Sequence, residues 1–369
     1  MKVLVTGALG FVGKNLVEFL KTKEDIELLL YDKDNSLDEL DDFCRECDFV
    51  VNLAGVNRTN NNDDFIKGNL GVIENVIEFL LKHNNKSPII YSSSIQALLD
   101  NDYGKSKRLA EEFLIKYSKE KNVSVYIFRF TNLFGKWSLP NYNTVIATFC
   151  YNIARNLEIR IDDENKQLNL TYIDDVVSEI YNIIMNKPIM NDCFCEVSKV
   201  YTKNLGEIAK LIYGFKKSRE TLDVINTNDE FEKKLYSTYL SFLPENEFNY
   251  SLDSHSDLRG SFTEIIKTES KGQFSVNIAK PGVVKGNHWH NTKNEKFIVV
   301  KGEALISFRK PFSDSVIKYE VSDKKIEVVD IPCGYTHNIK NIGNEDLVFF
   351  IWCNECFDKE NPDTYYLEV

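Results

Sequence analysis

The sequence predicts an α/β domain built on a doubly wound parallel sheet, followed by a smaller all-β domain. Three observations carry this. Residues 2–16, KVLVTGALGFVGKNL, run a short apolar strand into three glycines at GxxGxxG spacing and on into an apolar helical pattern at Val12, Leu16, Val17 and Leu20. Strand-like and helix-like segments then alternate to about residue 130, the pattern of a parallel sheet with crossover helices. From Asn249 onward strands dominate and glycine turns recur, so the boundary is expected between Phe242 and Tyr250, giving domains of residues 1–245 and 246–369.

The glycine turn is the first element. Glycine lets the backbone turn sharply and approach a ligand closely, and the helix N-terminus offers unpaired N–H groups to a pyrophosphate. Gly7, Gly10, Phe11, Val12 and Gly13 are therefore candidate dinucleotide contacts. The second strand, Ile26 to Tyr31, ends at Asp32, where an acidic residue is the usual ribose partner. Asp32 would accept the 2′-hydroxyl of NAD and repel the phosphate of NADP, whereas the adjacent Lys33 would do the opposite.

Further along, residues 37–47 read as a helix, 48–53 as a strand ending at Leu53-Ala54-Gly55, and 63–83 as a long amphipathic helix. Pro88 to Ser93 is a fourth strand, Tyr103 to Tyr117 a helix and Val123 to Phe130 a fifth strand. Four more helices are expected at 143–155, 174–185, 205–213 and 230–239. In a doubly wound sheet, ligands sit beyond the carboxyl ends of the strands. Tyr91-Ser-Ser-Ser94 ends the fourth strand there, and Tyr103 and Lys107 follow four residues apart, on one face of a helix. A nearby ammonium favours the phenolate and is expected to lower the Tyr103 pKa from its usual ~10 toward the range where proton transfer is efficient.

Composition sets limits. The 369 residues suggest two domains at ~150 residues each. The net charge of −11 argues against a nucleic-acid partner. No apolar run reaches the ~20 residues of a membrane span, nothing resembles a signal peptide, and a cytoplasmic protein is expected. The eight cysteines include two CxxC pairs, Cys44/Cys47 and Cys353/Cys356, and Cys193-x-Cys195. Pairs that lie in different domains read better as buried or idle thiols than as a shared zinc site.

These motifs resemble the extended short-chain dehydrogenase/reductases, particularly those acting on nucleotide sugars, over about residues 1–240. The resemblance rests on TGALGFVG, NLAG (Asn52 to Gly55), YSSS, YGKSK, RFTNLFG (Arg129 to Gly135) and YIDDVV (Tyr172 to Val177). It implies Tyr103 as acid/base, Lys107 on the nicotinamide ribose, and Ser94, with Ser93 as alternative, completing a triad. It also implies Leu53, Ala54 and Gly55 along the cofactor and Asn132 against the substrate.

The second domain carries Gly282-x5-His288-x-His290-x4-Glu295-x6-Gly302 and Pro332-x-Gly334-x2-His337-x3-Asn341. These motifs hold three of only five histidines. On a strand, His288 and His290 face the same side. With Glu295 and His337 they form a three-nitrogen, one-oxygen set suited to zinc or another borderline divalent metal, and burying four such groups without a metal would be costly.

This stretch resembles the cupins, small barrels of jelly-roll type. The segment Asp257 to Glu264 resembles the opening of nucleotide-deoxysugar epimerases of that class, which implies substrate contact by Arg259, with Lys285 as a further candidate. In that subgroup the position of His288 carries a base rather than a metal ligand, so both roles stay open.

A reductase followed by such a cupin resembles the bifunctional capsular-polysaccharide enzymes of the UDP-N-acetyl-L-fucosamine pathway. The resemblance implies a homodimer acting on a UDP-linked 2-acetamido-2,6-dideoxy-4-hexulose. The cupin would invert C3 and the reductase would reduce the C4 ketone with NADPH, giving a 6-deoxy-talosamine nucleotide. Two other readings of the cupin are a non-catalytic sugar-binding or dimerising module and an oxygen-dependent iron enzyme.

Overall fold

The computed structural model describes residues 1–57, 59, 65–142, 144–189, 192–268, 272–360 and 362–369. The starts of two expected helices, at 63–64 and at Asn143, lie outside the described residues. The chain divides into two units. The first comprises Met1–Tyr213 and Thr227–Pro244, the second Gly214–Asn226 and Glu245–Val369. Residues 214–226, which precede the expected boundary at 245, cluster with the second unit for a local reason. The Val224 N–H donates to the Lys267 carbonyl at 2.8 Å, and the Lys267 N–H to the Leu222 carbonyl at 2.7 Å.

In the first unit the strands are β1 Lys2–Thr6, β2 Glu27–Tyr31, β3 Phe49–Asn52, β4 Ile89–Ser94, β5 Val125–Phe130, β6 Asn132–Phe134, β7 Gln167–Tyr172, β8 Phe194–Cys195 and β9 Tyr201–Asn204. Six form a parallel sheet of order β2-β1-β3-β4-β5-β8. Strand order reverses between β1 and β3, which opens a crevice at their carboxyl ends. Strand alternation decides the two faces. Val3, Val5, Phe49 and Val51 pack with Leu16, Val17 and Leu20 of the helix Phe11–Leu20 and Val176, Ile180 and Ile184 of the helix Ile173–Asn186. Leu4, Val50 and Ile89 point the other way, onto Leu40, Ile73, Val76, Leu80 and Leu114. Each such buried side chain contributes about 1.5–3 kcal/mol over exposure. A small second sheet, β6-β7-β9, stands beside the crevice.

The second unit has β10 Ser254–Asp257, β11 Gly260–Thr268, β12 Gly272–Ala279, β13 Val284–Trp289, β14 Glu295–Lys301, β15 Glu303–Arg309, β16 Val316–Ser322, β17 Val328–Ile331, β18 Thr336–Asn341, β19 Leu347–Cys353 and β20 Tyr365–Tyr366. They form two antiparallel sheets, β10-β11-β12-β19-β14-β17 and β16-β15-β18-β13-β20. Phe297, Val299 and Phe349 of one sheet and Ile306, Phe308 and Ile339 of the other share one core. The fold class is thus the one the sequence predicts, a doubly wound parallel sheet followed by an all-β unit. Several elements run past their expected ends. The helix carrying Tyr103 spans Asp102–Lys121, and the next-to-last helix spans Leu205–Thr221. The segment before Val72 is a π-helical turn, Lys67–Gly71, that leads into the helix Val72–Lys82.

Candidate functional sites

The first site is a cleft of about 600 Å³ at the carboxyl ends of the parallel sheet. One wall is the glycine turn. Gly7 holds φ +68°, and a Cβ there would come within 2.7 Å of the Ala54 N. A Cβ on Gly13 would collide with the Gly7 carbonyl, so helix and turn can pack this closely only as glycines. Gly10 caps the helix Phe11–Leu20 with no side-chain hydrogen bond and no acidic residue follows in the first turn, so the helix end is open to an anion. Gly10, Phe11, Val12, Gly13, Leu53 and Gly55 all line the cleft. Ala54 lies behind them, its N–H donating to the Thr6 hydroxyl at 3.3 Å.

Asp32 sits in an adjoining hollow with Leu9, Leu30 and Asn35. Its carboxylate accepts from the backbone N–H of Leu9 and of Lys33, both at 2.8 Å, so it also braces the glycine turn. The Lys33 side chain is exposed.

The opposite wall holds Ser94, Tyr103, Lys107 and Asn132. Ser94 lies beside Tyr103, whose hydroxyl donates to Asn57 Oδ1 at 3.4 Å. Ser93 is turned away and buried, donating to the Glu111 carboxylate at 2.5 Å. Lys107 is buried and donates to the Ser92 carbonyl at 2.9 Å, with its ammonium 6.0 Å from the centroid of the Tyr103 ring. The expected lowering of the Tyr103 pKa is not met. Burial raises it instead, against the smaller opposing effect of Ser94. Burial also lowers Lys107 to about 8, opposed by the Glu111 carboxylate. The phenol therefore holds its proton at neutral pH, the state needed to donate it. Asn132 anchors its amide on the Asn169 carbonyl at 3.1 Å.

Two groups at this site have no signal in the motifs. Asn69, in the π-helical turn, accepts from the Val56 N–H at 3.0 Å and donates to the Val56 carbonyl and the Ser106 hydroxyl, tying the loop after Gly55 to the helix of Tyr103 and Lys107. Glu111, 2% exposed, holds Arg129 through paired bonds of 2.9 and 2.6 Å. A lone buried Asn in an apolar helix and a Glu four residues after Lys107 were the available hints.

In the second unit, His288, His290, Glu295 and His337 each offer a ligand atom, and these lie within 4.8 Å of one another. His288 reaches the cluster because the register of β13 against β18 shifts between Gly286 and His288, a bulge that leaves Asn287 at φ 62° and sets His288 opposite His337. The Nε2 atoms of His290 and His337 and the Oε2 of Glu295 are buried and have no hydrogen-bond partner among the described residues. They face each other, the two nitrogens 3.6 and 3.3 Å from that oxygen.

The other sides of these groups are engaged. His290 Nδ1 donates to the Asp363 carbonyl at 2.6 Å, and His337 Nδ1 lies 3.4 Å from the Tyr335 carbonyl. A carbonyl can only accept, so Nδ1 carries the proton and Nε2 presents its lone pair inward. The Cys353 thiol donates to Glu295 Oε1 at 3.2 Å. Burial, then the neighbouring His337, lowers His288 to about 4, so its imidazole is neutral at pH 7. Three imidazoles and one carboxylate converging on a buried point fit the donor set of a zinc-like ion, with outer hydrogen bonds already made. Arg259 is exposed and ion-paired with Asp257 at 2.6 Å, and Lys285 donates to the Ser261 carbonyl at 3.0 Å.

Comparison with known proteins agrees with both halves. Residues 255–365 match the polysaccharide biosynthesis C-terminal domain. A Pseudomonas aeruginosa protein named UDP-2-acetamido-2,6-beta-L-arabino-hexul-4-ose reductase is 43% identical over 100% of this chain and 99% of its own. The crystal structure of the capsular polysaccharide assembling protein CapF from Staphylococcus aureus superposes with a TM-score of 0.94 at 50% identity, covering both chains in full. A structure of CapF with the inhibitor 3-isopropenyl-tropolone does so at 0.90 and 47%, again in full. Residues 3–191 match the NAD dependent epimerase/dehydratase family, and with the glycine turn, the cleft and these full-length relatives the chain belongs to that family.

Proposed function

We propose that the chain is a two-site nucleotide-sugar enzyme of capsular polysaccharide biosynthesis. Its substrate is a UDP-linked 2-acetamido-2,6-dideoxy-4-hexulose. The second unit inverts C3, and the first reduces the C4 ketone with NADPH to UDP-2-acetamido-2,6-dideoxy-L-talose. The observation that carries the reduction is the convergence of Ser94, Tyr103 and Lys107 on the glycine turn in one cleft. The name of the 43% identical relative supports the substrate class.

The chemistry is economical. A C4 carbonyl acidifies the hydrogen on C3, so one carbonyl serves both reactions: loss and return of the C3 proton on opposite faces, then reduction at C4. The glycine turn would hold a reduced nicotinamide cofactor, which would supply the hydride for C4. Tyr103, kept protonated by burial, gives its hydroxyl proton to the sugar oxygen, and Ser94 lines the same cleft, where its hydroxyl can hold that oxygen. Lys107 sits behind Tyr103, where its ammonium would hold the nicotinamide ribose.

In the second unit His288, His290, Glu295 and His337 would hold one divalent metal, zinc by donor type, which would supply a Lewis acid for the carbonyl. A tropolone has two adjacent oxygens that chelate metals, so inhibition of CapF by such a compound favours this reading. Arg259 and Lys285 are the substrate contacts proposed here.

The test is incubation of the chain with the UDP-4-keto-6-deoxy sugar in deuterated water, with and without NADPH, and NMR of the products. Exchange at C3 without cofactor and a reduced C4 with it are expected. Absence of both overturns the proposal, and reduction without exchange makes the second unit a binding module. Comparing rates with NADPH and NADH checks the cofactor.

A further inference from the structure

We propose that Asp363, which lies outside both metal-ligand motifs, is a positioning residue of the metal site. It orients His290 and shapes the loop joining His290 to Glu295. The inference rests on the metal reading above. The Asp363 carboxylate accepts from three consecutive backbone N–H groups, Asn291 at 3.0 Å and Thr292 and Lys293 at 2.9 Å each. Its own carbonyl accepts from His290 Nδ1 at 2.6 Å. It does this at φ 37°, just ahead of β20, which pairs with β13 at Trp289 and His288.

One residue thus fixes both ends of the problem. The carbonyl holds the proton on Nδ1, so Nε2 is the free lone pair and the ring cannot turn over. The carboxylate orders the residues between two ligands, removing conformational freedom that metal binding would otherwise have to freeze. A carboxylate serving only local stability would not need its carbonyl aimed at a ligand's outer nitrogen.

The test compares zinc affinity of the full chain and of Asp363→Asn by competition with a chromophoric chelator. Asparagine keeps the size and tolerates the left-handed backbone, but it turns an amide NH₂ toward backbone N–H donors. Affinity is expected to fall about 10–100-fold, the usual effect of an outer-sphere partner. The cobalt form is expected to show altered ligand-field bands. Unchanged affinity and bands in Asp363→Asn, with metal still lost in His337→Ala, overturn this proposal alone. Metal retained in His337→Ala overturns the ligand set instead. Should Asp363→Asn fail to fold, the zinc-loaded wild-type chain labelled with ¹⁵N-histidine still decides. The imidazole signal absent from His290→Gln must show a protonated Nδ1 and a metal-bound Nε2, and metal on Nδ1 overturns the proposal.

Discussion

The two sites differ in how their buried polar atoms are satisfied. In the parallel-sheet unit Lys107, Ser93, Glu111 and Asn69 all have protein partners, and the two orphaned atoms among the described residues, Asn15 Oδ1 and Asn52 Nδ2, belong to amides whose other end is bonded. In the all-β unit, among the described residues, three orphaned atoms from three residues converge. A site completed by hydrogen bonds is prepared for a ligand that arrives, reacts and leaves. A site with converging orphans is prepared for a resident ion, because unsatisfied buried groups cost too much to keep without one. The same distinction says where each site is fragile: the first in its proton chemistry, the second in its occupancy.

The largest expected effect breaks one site and spares the other. Tyr103→Phe should lower ketone reduction by at least ~100-fold, the low end for a lost general acid, with C3 exchange intact. Loss of both in a folded variant would mean that the sites do not act separately. The converse, His337→Ala, should abolish stoichiometric metal by elemental analysis and with it C3 exchange. Exchange at the wild-type rate in the metal-free variant would reduce the ion to a structural part.

A third prediction concerns charge. Lys107 is lowered to about 8 by burial while Glu111 opposes that shift. It is cationic below that pH and neutral above it, so reduction should fall on the alkaline side near pH 8. Glu111→Gln removes the opposing carboxylate and should move this limb to lower pH; an unmoved limb would assign it to another group. The smallest effect is on stability. Glu111→Ala leaves Arg129 without its carboxylate, but the guanidinium can turn toward water, so a loss of about 2 kcal/mol by chemical denaturation is expected.

Much of both sites is legible in the sequence because it is written in short, contiguous spacings. GxxGxxG, YxxxK and HxH each place their residues on one turn, one helix face or one strand face, which backbone geometry alone enforces. The serine pair shows the limit. Ser93 and Ser94 are neighbours in one strand, and alternation guarantees that only one can meet Tyr103. Which one depends on the contacts that Glu111 and Tyr103 make from another element. The Tyr103 pKa shows a related limit: helix spacing puts Lys107 on the same helix face, but the burial that raises the phenol's pKa is a property of the packed structure.

By itself the sequence determined the fold class and the glycine turn through periodicity and spacing, and it pointed to four candidate metal ligands by their spacing and to a candidate triad by family resemblance. Only the tertiary structure decided what supports them. Asn69 meets Ser106 across 37 positions, and Asp363 meets His290 across 73. Contacts of that range are set by how sheets and helices pack, and no local pattern encodes them.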